Sequence, residues 1–339
     1  MAWIPCLVLP TADNRSASLG DPDVDDYLQF VAARARPNTV LANAYDLKVF
    51  FTVVPKEPSM VTTRDVLEFL KHQRAPRRGP TVVRLEDGEA GLAARTVKRR
   101  LTSVSGLFSY LIARGDAGIA VNPVPGGLAS RRATTRGRGV PLVRTPRTLP
   151  RVLGPADVDR FLAALRTARD RAMTHAMLLG ALRRSEVLGL RFDDIRVGEK
   201  RLFVAEGKGG HQRLVPVSAT FFTVLADYLE HERPPTSTNR VFVVLKGPRR
   251  GHPLSTAGLD EIIRGASHRS GVALTCHQLR HTCLTRLREA GMALEAVQAQ
   301  AGHRSIESTR IYLHLANGWL EAEYRHAITA IDATATDAP

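Results

Sequence analysis

The chain has 339 residues, 44% of them hydrophobic, enough for two ordinary domains with buried cores. Its 48 lysines and arginines stand against 33 acidic residues, a formal charge of +15 that favours a polyanionic partner, with nucleic acid ahead of an anionic membrane surface. No stretch approaches the roughly 18 uninterrupted apolar residues of a spanning helix, "MAWIPCLVLP" lacks the basic start of a signal peptide, and Cys6, Cys276 and Cys283 make no even framework, so a cytoplasmic protein with reduced thiols is expected.

Residues 1–21 read as an irregular segment. "DVDDYLQFVAARA" then opens an amphipathic helix with Val24, Leu28 and Val31 at helical spacing. "TVLANAYDLKVFFTVV", "TTRDVLEFLKHQRA" with Thr63 as N-cap, and "AARTVKRRLTSVSGLFSYLIARG" closed by Gly115 are further helices. Residues 22–116 are therefore expected to form a small all-α unit. Its cluster Lys98, Arg99 and Arg100 is either a solvated run or a contact to DNA phosphates. "APRRGPTVVRLEDGEAGLA" reads as a loop or small hairpin inserted among these helices.

From Ala117 to Ala156 there is no acidic residue, while Arg131, Arg132, Arg136, Arg138, Arg144, Arg147 and Arg151 accumulate among Gly, Pro and Thr. Residues 117–149 are expected to be a linker, suited by its cations to lie along phosphates. A second unit, 150–330, starts at "GPADVDRFLAAL", where Gly154, Pro155 and Asp157 mark a helix start. The nearly apolar end of "ARDRAMTHAMLLGA" requires burial. "KRLFVAEGKGGHQRLVPV" alternates around Gly207-Lys208-Gly209-Gly210 and predicts two or three antiparallel strands with a tight turn. The remainder is chiefly helical, and 331–339 is a tail.

Within "CHQLRHTC", His277 and His281 share a helical face at the spacing of metal ligands, but the flanking thiols point elsewhere and no second ligand cluster lies nearby. No metal or other cofactor is therefore expected. Five fragments stand in a fixed order: "ALRRSEVLGL" with Arg183 and Glu186, "EGKGGHQRLVPV" with Lys208, "HQLRHT" with His277, Arg280 and His281, "AGHRS" with His303, and "STRIYLH" with Tyr312. In this order they resemble the tyrosine recombinases of the phage integrase family. "RTVKRRLTSVSGLFSYLIARG", followed by Asn122-Pro123, is similar to that family's core-binding domain, so the resemblance covers roughly residues 22 to 320. It implies a mainly α fold with a small antiparallel sheet: an all-α, SAM-like core-binding domain joined to a mixed α/β catalytic domain in a C-shaped clamp around double-stranded DNA. It further implies a homo-tetramer in the synaptic complex, a monomer or dimer in isolation, accessory proteins and no membrane. The amphipathic "LEAEYRHAITAI" docks either on its own domain or on a neighbouring subunit.

The chemistry of the set is coherent on elementary grounds. A tyrosine hydroxyl titrates near 10, so roughly one part in a thousand is phenolate at neutral pH and the group needs a base or a positive field. Neutral His277 can accept that proton, and Arg183 and Arg280 can pair with the two non-bridging oxygens on which charge grows during attack at phosphorus. The resemblance gives His303 a hydrogen bond to the same oxygens, Lys208 the protonation of the leaving 5′-oxygen, and Glu186 and His281 supporting places. Ala181 stands where the family usually has Gly, Ala301 where Leu is usual, and His211 where Lys is common. The implied activity is integration or transposition of a mobile element, through a 3′-phosphotyrosyl intermediate. Chromosome or plasmid resolution, a type IB topoisomerase, a non-catalytic DNA-binding regulator and a metal-dependent nuclease remain as alternatives, the last distinguished by sensitivity to chelator.

Overall fold

The computed structural model describes residues 3–10, 16–75, 91–126, 142–143, 151–205, 212–302 and 309. The chain divides into two compact units, Met1–Arg147 and Thr148–Pro339. The first contains, among its described residues, helices α1 (Pro22–Arg34), α2 (Pro37–Val53), α3 (Thr63–Arg74) and α4 (Ala94–Arg114), with no strand. Asp21 caps α1 by accepting the Val24 N–H, and the apolar face that the spacing predicted, Val24, Leu28 and Val31, is buried. At α3 the cap is Thr62 rather than Thr63. Thr62 accepts the Asp65 N–H while the Asp65 carboxylate reaches back to the Thr62 N–H at 2.9 Å. That reciprocal box needs an acid three residues after the cap, and only Thr62 has one. α4 ends where Gly115 takes φ 82, a left-handed conformation that costs glycine little.

Phe50, Phe51, Phe69, Leu107 and Phe108 fill the centre of this unit, with the Phe50 and Phe69 rings edge to face at 5.0 Å. The described residues of the N-terminal segment have neither helix nor strand, yet they are not idle: Val8 and Ser18 form an isolated bridge, and the Trp3 ring packs tilted against Phe51 with centroids 4.7 Å apart. Leu142 and Val143 also pack on this core.

The second unit holds α5 (Pro155–Ala163), α6 (Ala168–Gly180), α7 (Arg184–Gly189), strands β1 (Ile195–Arg196), β2 (Arg201–Val204) and β3 (Arg213–Pro216), then α8 (Ala219–Asp227), α9 (Thr256–Ser270), α10 (Cys276–Glu289) and α11 (Leu294–Ala301). α6 is the central element, packed between α8 and α10. Its burial runs almost its whole length, wider than the apolar second half alone suggested. The three strands are antiparallel in the order β1-β2-β3, with Leu202 opposite Val215 and Val204 opposite Arg213. Leu202, Val204 and Val215 face inward and join the helical core. The mainly helical fold with a small antiparallel sheet is the one expected.

Candidate active site

The site begins with a reversal of the chain. α6 ends at Gly180, and Ala181 turns the backbone in a left-handed conformation (φ 55, ψ 27), unusual for a residue with a Cβ and costing roughly 1 kcal/mol. This is the position where glycine would sit without strain. The turn buries Leu182 and sets Arg183 as the N-cap of α7, so Glu186, at the third position of that helix, folds back to accept the Arg183 N–H at 2.8 Å.

Glu186 is the hub. Its side chain is 1% exposed. One oxygen accepts Arg183 Nη1 at 2.7 Å and Arg213 Nη1 at 3.0 Å, the other accepts Arg213 Nη2 at 2.8 Å, and Arg280 Nη1 lies 3.9 Å away. Burial disfavours the ionised carboxylate, but the hydrogen bonds and charge of Arg213, followed by Arg183, outweigh it and hold the group down at about 2. Three guanidinium groups face one carboxylate, so the described part of the cluster carries two positive charges in excess.

The C-terminus of α11 supplies the opposite wall. Arg183 Nη2 donates to the Gly302 carbonyl at 3.3 Å, Arg280 Nη2 to the Ala301 carbonyl at 2.5 Å, and Arg213 Nε to the Gln300 carbonyl at 3.3 Å. Arg280 Nη1 also donates to the Ala181 carbonyl. These bonds satisfy the carbonyls a helix leaves open at its end. Gln300 ties the same corner to α6 and β3, donating to the carbonyls of Gly180 at 3.2 Å and Pro216 at 3.1 Å. Gly302 adopts φ 59, and a Cβ placed there would stand 2.9 to 3.0 Å from the Arg213 guanidinium.

Thr275 caps α10 together with Gln278, which places His277 in the first turn and buries Arg280 one turn further on, at 2% exposure. His277 and His281 meet edge to face, Nε2 to Nε2 at 2.8 Å. Such a contact needs one N–H and one lone pair. Burial, then the charges of Arg280 and Arg183, lower the pKa of His277; burial, His277 and Arg280 take His281 down to about 4. The pair is therefore neutral at pH 7 and keeps an imidazole lone pair available to accept a proton.

Arg183, Glu186 and Arg280 thus converge, with His277 and His281 on the helix that carries Arg280. Lys208, His303 and Tyr312 lie outside the described residues, as do Arg131, Arg132, Arg136, Arg138 and His211. Of the α4 cations, Lys98 and Arg99 are exposed, Arg99 also donates to the buried Asp46 carboxylate at 2.5 Å, and Arg100 donates to Gln73. Asp46 also accepts Ser103 Oγ at 2.9 Å. Among the described residues no group of three His, Cys, Asp or Glu is placed to hold a metal. Cys276 turns its thiol toward Asp260 at 4.0 Å and Cys283 is buried, and burial pushes the two thiols up to about 11 and about 12.

Arg213 and Gln300 were not singled out from sequence. A signal for Arg213 exists: it shares the inward face of β3 with buried Val215, a poor place for an unpaired charge. Gln300 carried none.

Residues 151–318 match the family model described as the phage integrase family. The tyrosine recombinase XerD of Listeria monocytogenes serotype 4b (strain F2365) is 28% identical over 322 residues, 89% of this chain and 97% of the relative. The tyrosine recombinase XerC of Roseiflexus castenholzii (strain DSM 13941 / HLO8) is 30% identical over 295 residues, 82% and 83% of the two chains. Among solved structures, the Tn1549 transposon integrase in complex with transposon right-end DNA aligns with a TM-score of 0.65 at 17% identity, covering 86% of this chain and 94% of that one.

Proposed function

This chain belongs to the phage integrase family of tyrosine recombinases, and we propose that it cuts and rejoins double-stranded DNA at specific sites by attack of Tyr312 on a phosphodiester. The observation that carries this reading is the Glu186 cluster, with two positive charges in excess beside a neutral histidine pair. Arg183, whose side chain keeps 22% exposure, and Arg280 behind it pair with the non-bridging oxygens as charge accumulates there. His277 takes the phenol proton as the tyrosine oxygen bonds to phosphorus. The bond from phosphorus to the 5′-oxygen breaks, and Lys208 supplies the proton that oxygen needs. His303, one residue beyond the carbonyl held by Arg183, donates to the same phosphate. His281 supports His277 through the Nε2 contact.

The product is a 3′-phosphotyrosyl link, which conserves the energy of the cleaved bond, so a second 5′-hydroxyl can reverse the reaction without a nucleotide or metal. Four protomers pair two DNA sites, assembling from monomers or dimers, with accessory proteins selecting the outcome. Residues 22–116 grip the duplex as core-binding domain with Lys98 toward the phosphates, and the arginines of linker 117–149 follow the backbone. An apolar hollow of about 420 Å³, lined by Leu178, Leu179, Val217, Leu287 and Met292 among others, is large enough to receive side chains of the amphipathic segment 320–331.

Of the possible roles we favour Xer-like chromosome or plasmid resolution, supported by the match to a tyrosine recombinase XerD over nearly its full length. A mobile-element role rests on likeness of fold to the transposon integrase. The test uses nicked duplexes tiling the DNA beside the gene, incubated in chelator with wild type and Tyr312→Phe. An SDS-resistant complex with wild type alone is expected. Covalent complex with both proteins, or cleavage abolished by chelator, would overturn the reading.

A further inference from the structure

We propose that Arg213 is a positioning residue of this reaction: from strand β3 it clamps the Glu186 carboxylate and the end of α11, and thereby holds Arg183 and the chain entering His303 in working register. The inference rests on the functional reading above, but its evidence is the geometry of one side chain that the reading does not use. Arg213 spends its fork on both Glu186 oxygens, at 3.0 and 2.8 Å, and its Nε on the Gln300 carbonyl at 3.3 Å. Its side chain is 12% exposed. The guanidinium also occupies the space beside Gly302 that a Cβ would need. One residue therefore joins three segments: β3, five residues after Lys208 in the chain; α7, which Arg183 caps; and the α11 end that leads into His303.

The division of labour among the arginines follows from partners. Arg183 has one guanidinium nitrogen on Glu186 and another on the Gly302 carbonyl, and it can release these to a phosphate only if Glu186 stays neutralised without it. Arg213 provides that neutralisation with a bidentate pair, which a lysine cannot reproduce because it offers a point charge rather than a planar fork. Without Arg213, the carboxylate has Arg183 as its nearest partner and draws that guanidinium away from substrate.

The test compares Arg213→Met and Arg213→Lys with wild type in the full chain, on the nicked duplex that traps the wild-type link. For R213M, affinity in gel shift is expected within about threefold of wild type, while covalent-complex formation slows on the order of 10- to 100-fold, the range typical when a supporting partner is lost. R213K should recover part of the rate. The R213M rate should also acquire an acid-side decline, as Glu186 loses the strongest of the partners that keep it ionised in spite of its burial; combining R213M with Glu186→Gln should remove that decline. R213M cleaving within twofold of wild type overturns the proposal. So does joint loss of DNA binding, thermal stability and cleavage with no new pH dependence, which marks a plain structural brace. A wild type that forms no link, or a link that survives in Tyr312→Phe, counts instead against the functional reading. Amide exchange at residues 183–186 and 299–302 then decides the inference: at least tenfold faster exchange in R213M supports the clamp, and unchanged exchange overturns it.

Discussion

Adding one methyl group at Gly302 should uncouple the cluster without touching any group assigned to the chemistry. Gly302 lies at φ 59, and its missing Cβ would meet the Arg213 Nη1, Cζ and Nε at 2.9, 3.0 and 3.0 Å. Left-handed strain costs an alanine about 1–2 kcal/mol, part of which is offset by reduced freedom of the unfolded chain. Displacing the guanidinium sacrifices charge-assisted bonds to a buried carboxylate, about 2 kcal/mol net. Gly302→Ala should therefore destabilise the second unit by about 3 kcal/mol, or roughly 6–12 °C in its calorimetric transition for a unit of this size. In an Arg213→Ala background the clash has nothing to strike, and the same methyl should cost only about 1 kcal/mol. The cycle thus predicts a coupling of about 2 kcal/mol between the two positions. Equal costs in both backgrounds, or a cost under 1 kcal/mol in the wild-type background, would refute the assigned geometry.

Arg183→Ala should reduce the cleavage step on the order of 10² to 10³, by analogy with loss of an oxyanion donor, in single-turnover trapping on nicked duplex. Glu186, lowered from 4.5 to about 2 in the fold, contributes stability that is present above pH 4.5 and is lost as pH falls toward 2. That contribution is about 3 kcal/mol, and acid titration of the unfolding transition should show it disappear in Glu186→Gln. The histidines have the opposite charge change: with His281 lowered from 6.5 to about 4, the unfolded chain takes up the proton first, so stability falls as pH drops from 6.5 to 4. His281→Gln should flatten that part of the curve. Thr62→Ala should cost the first unit about 1 kcal/mol in thermal unfolding, while Thr63→Ala should be nearly neutral, because Thr62 is the cap that bonds with Asp65.

Much of this protein is written within a few residues of chain. The apolar spacing of Val24, Leu28 and Val31, the Gly115 stop of α4, the alternation in β2 and β3 and the order of the five fragments are local patterns. They were sufficient for the helical units, the small sheet and the family. Even Glu186 beneath Arg183 is local, since an acid at the third helical position reaches back to the cap whatever else the chain does. The tertiary structure decided matters that depend on distant partners. It set the Arg213 clamp, 27 residues from Glu186, and the bond from Arg183 to Gly302, 119 residues away. It also gave Arg99 a partner in Asp46, 53 residues away, and Arg100 one in Gln73, 27 residues away. The reason is range: a cap or a hydrophobic period acts within a turn or two of backbone, whereas a buried charge takes its partner from whichever segments packing brings beside it.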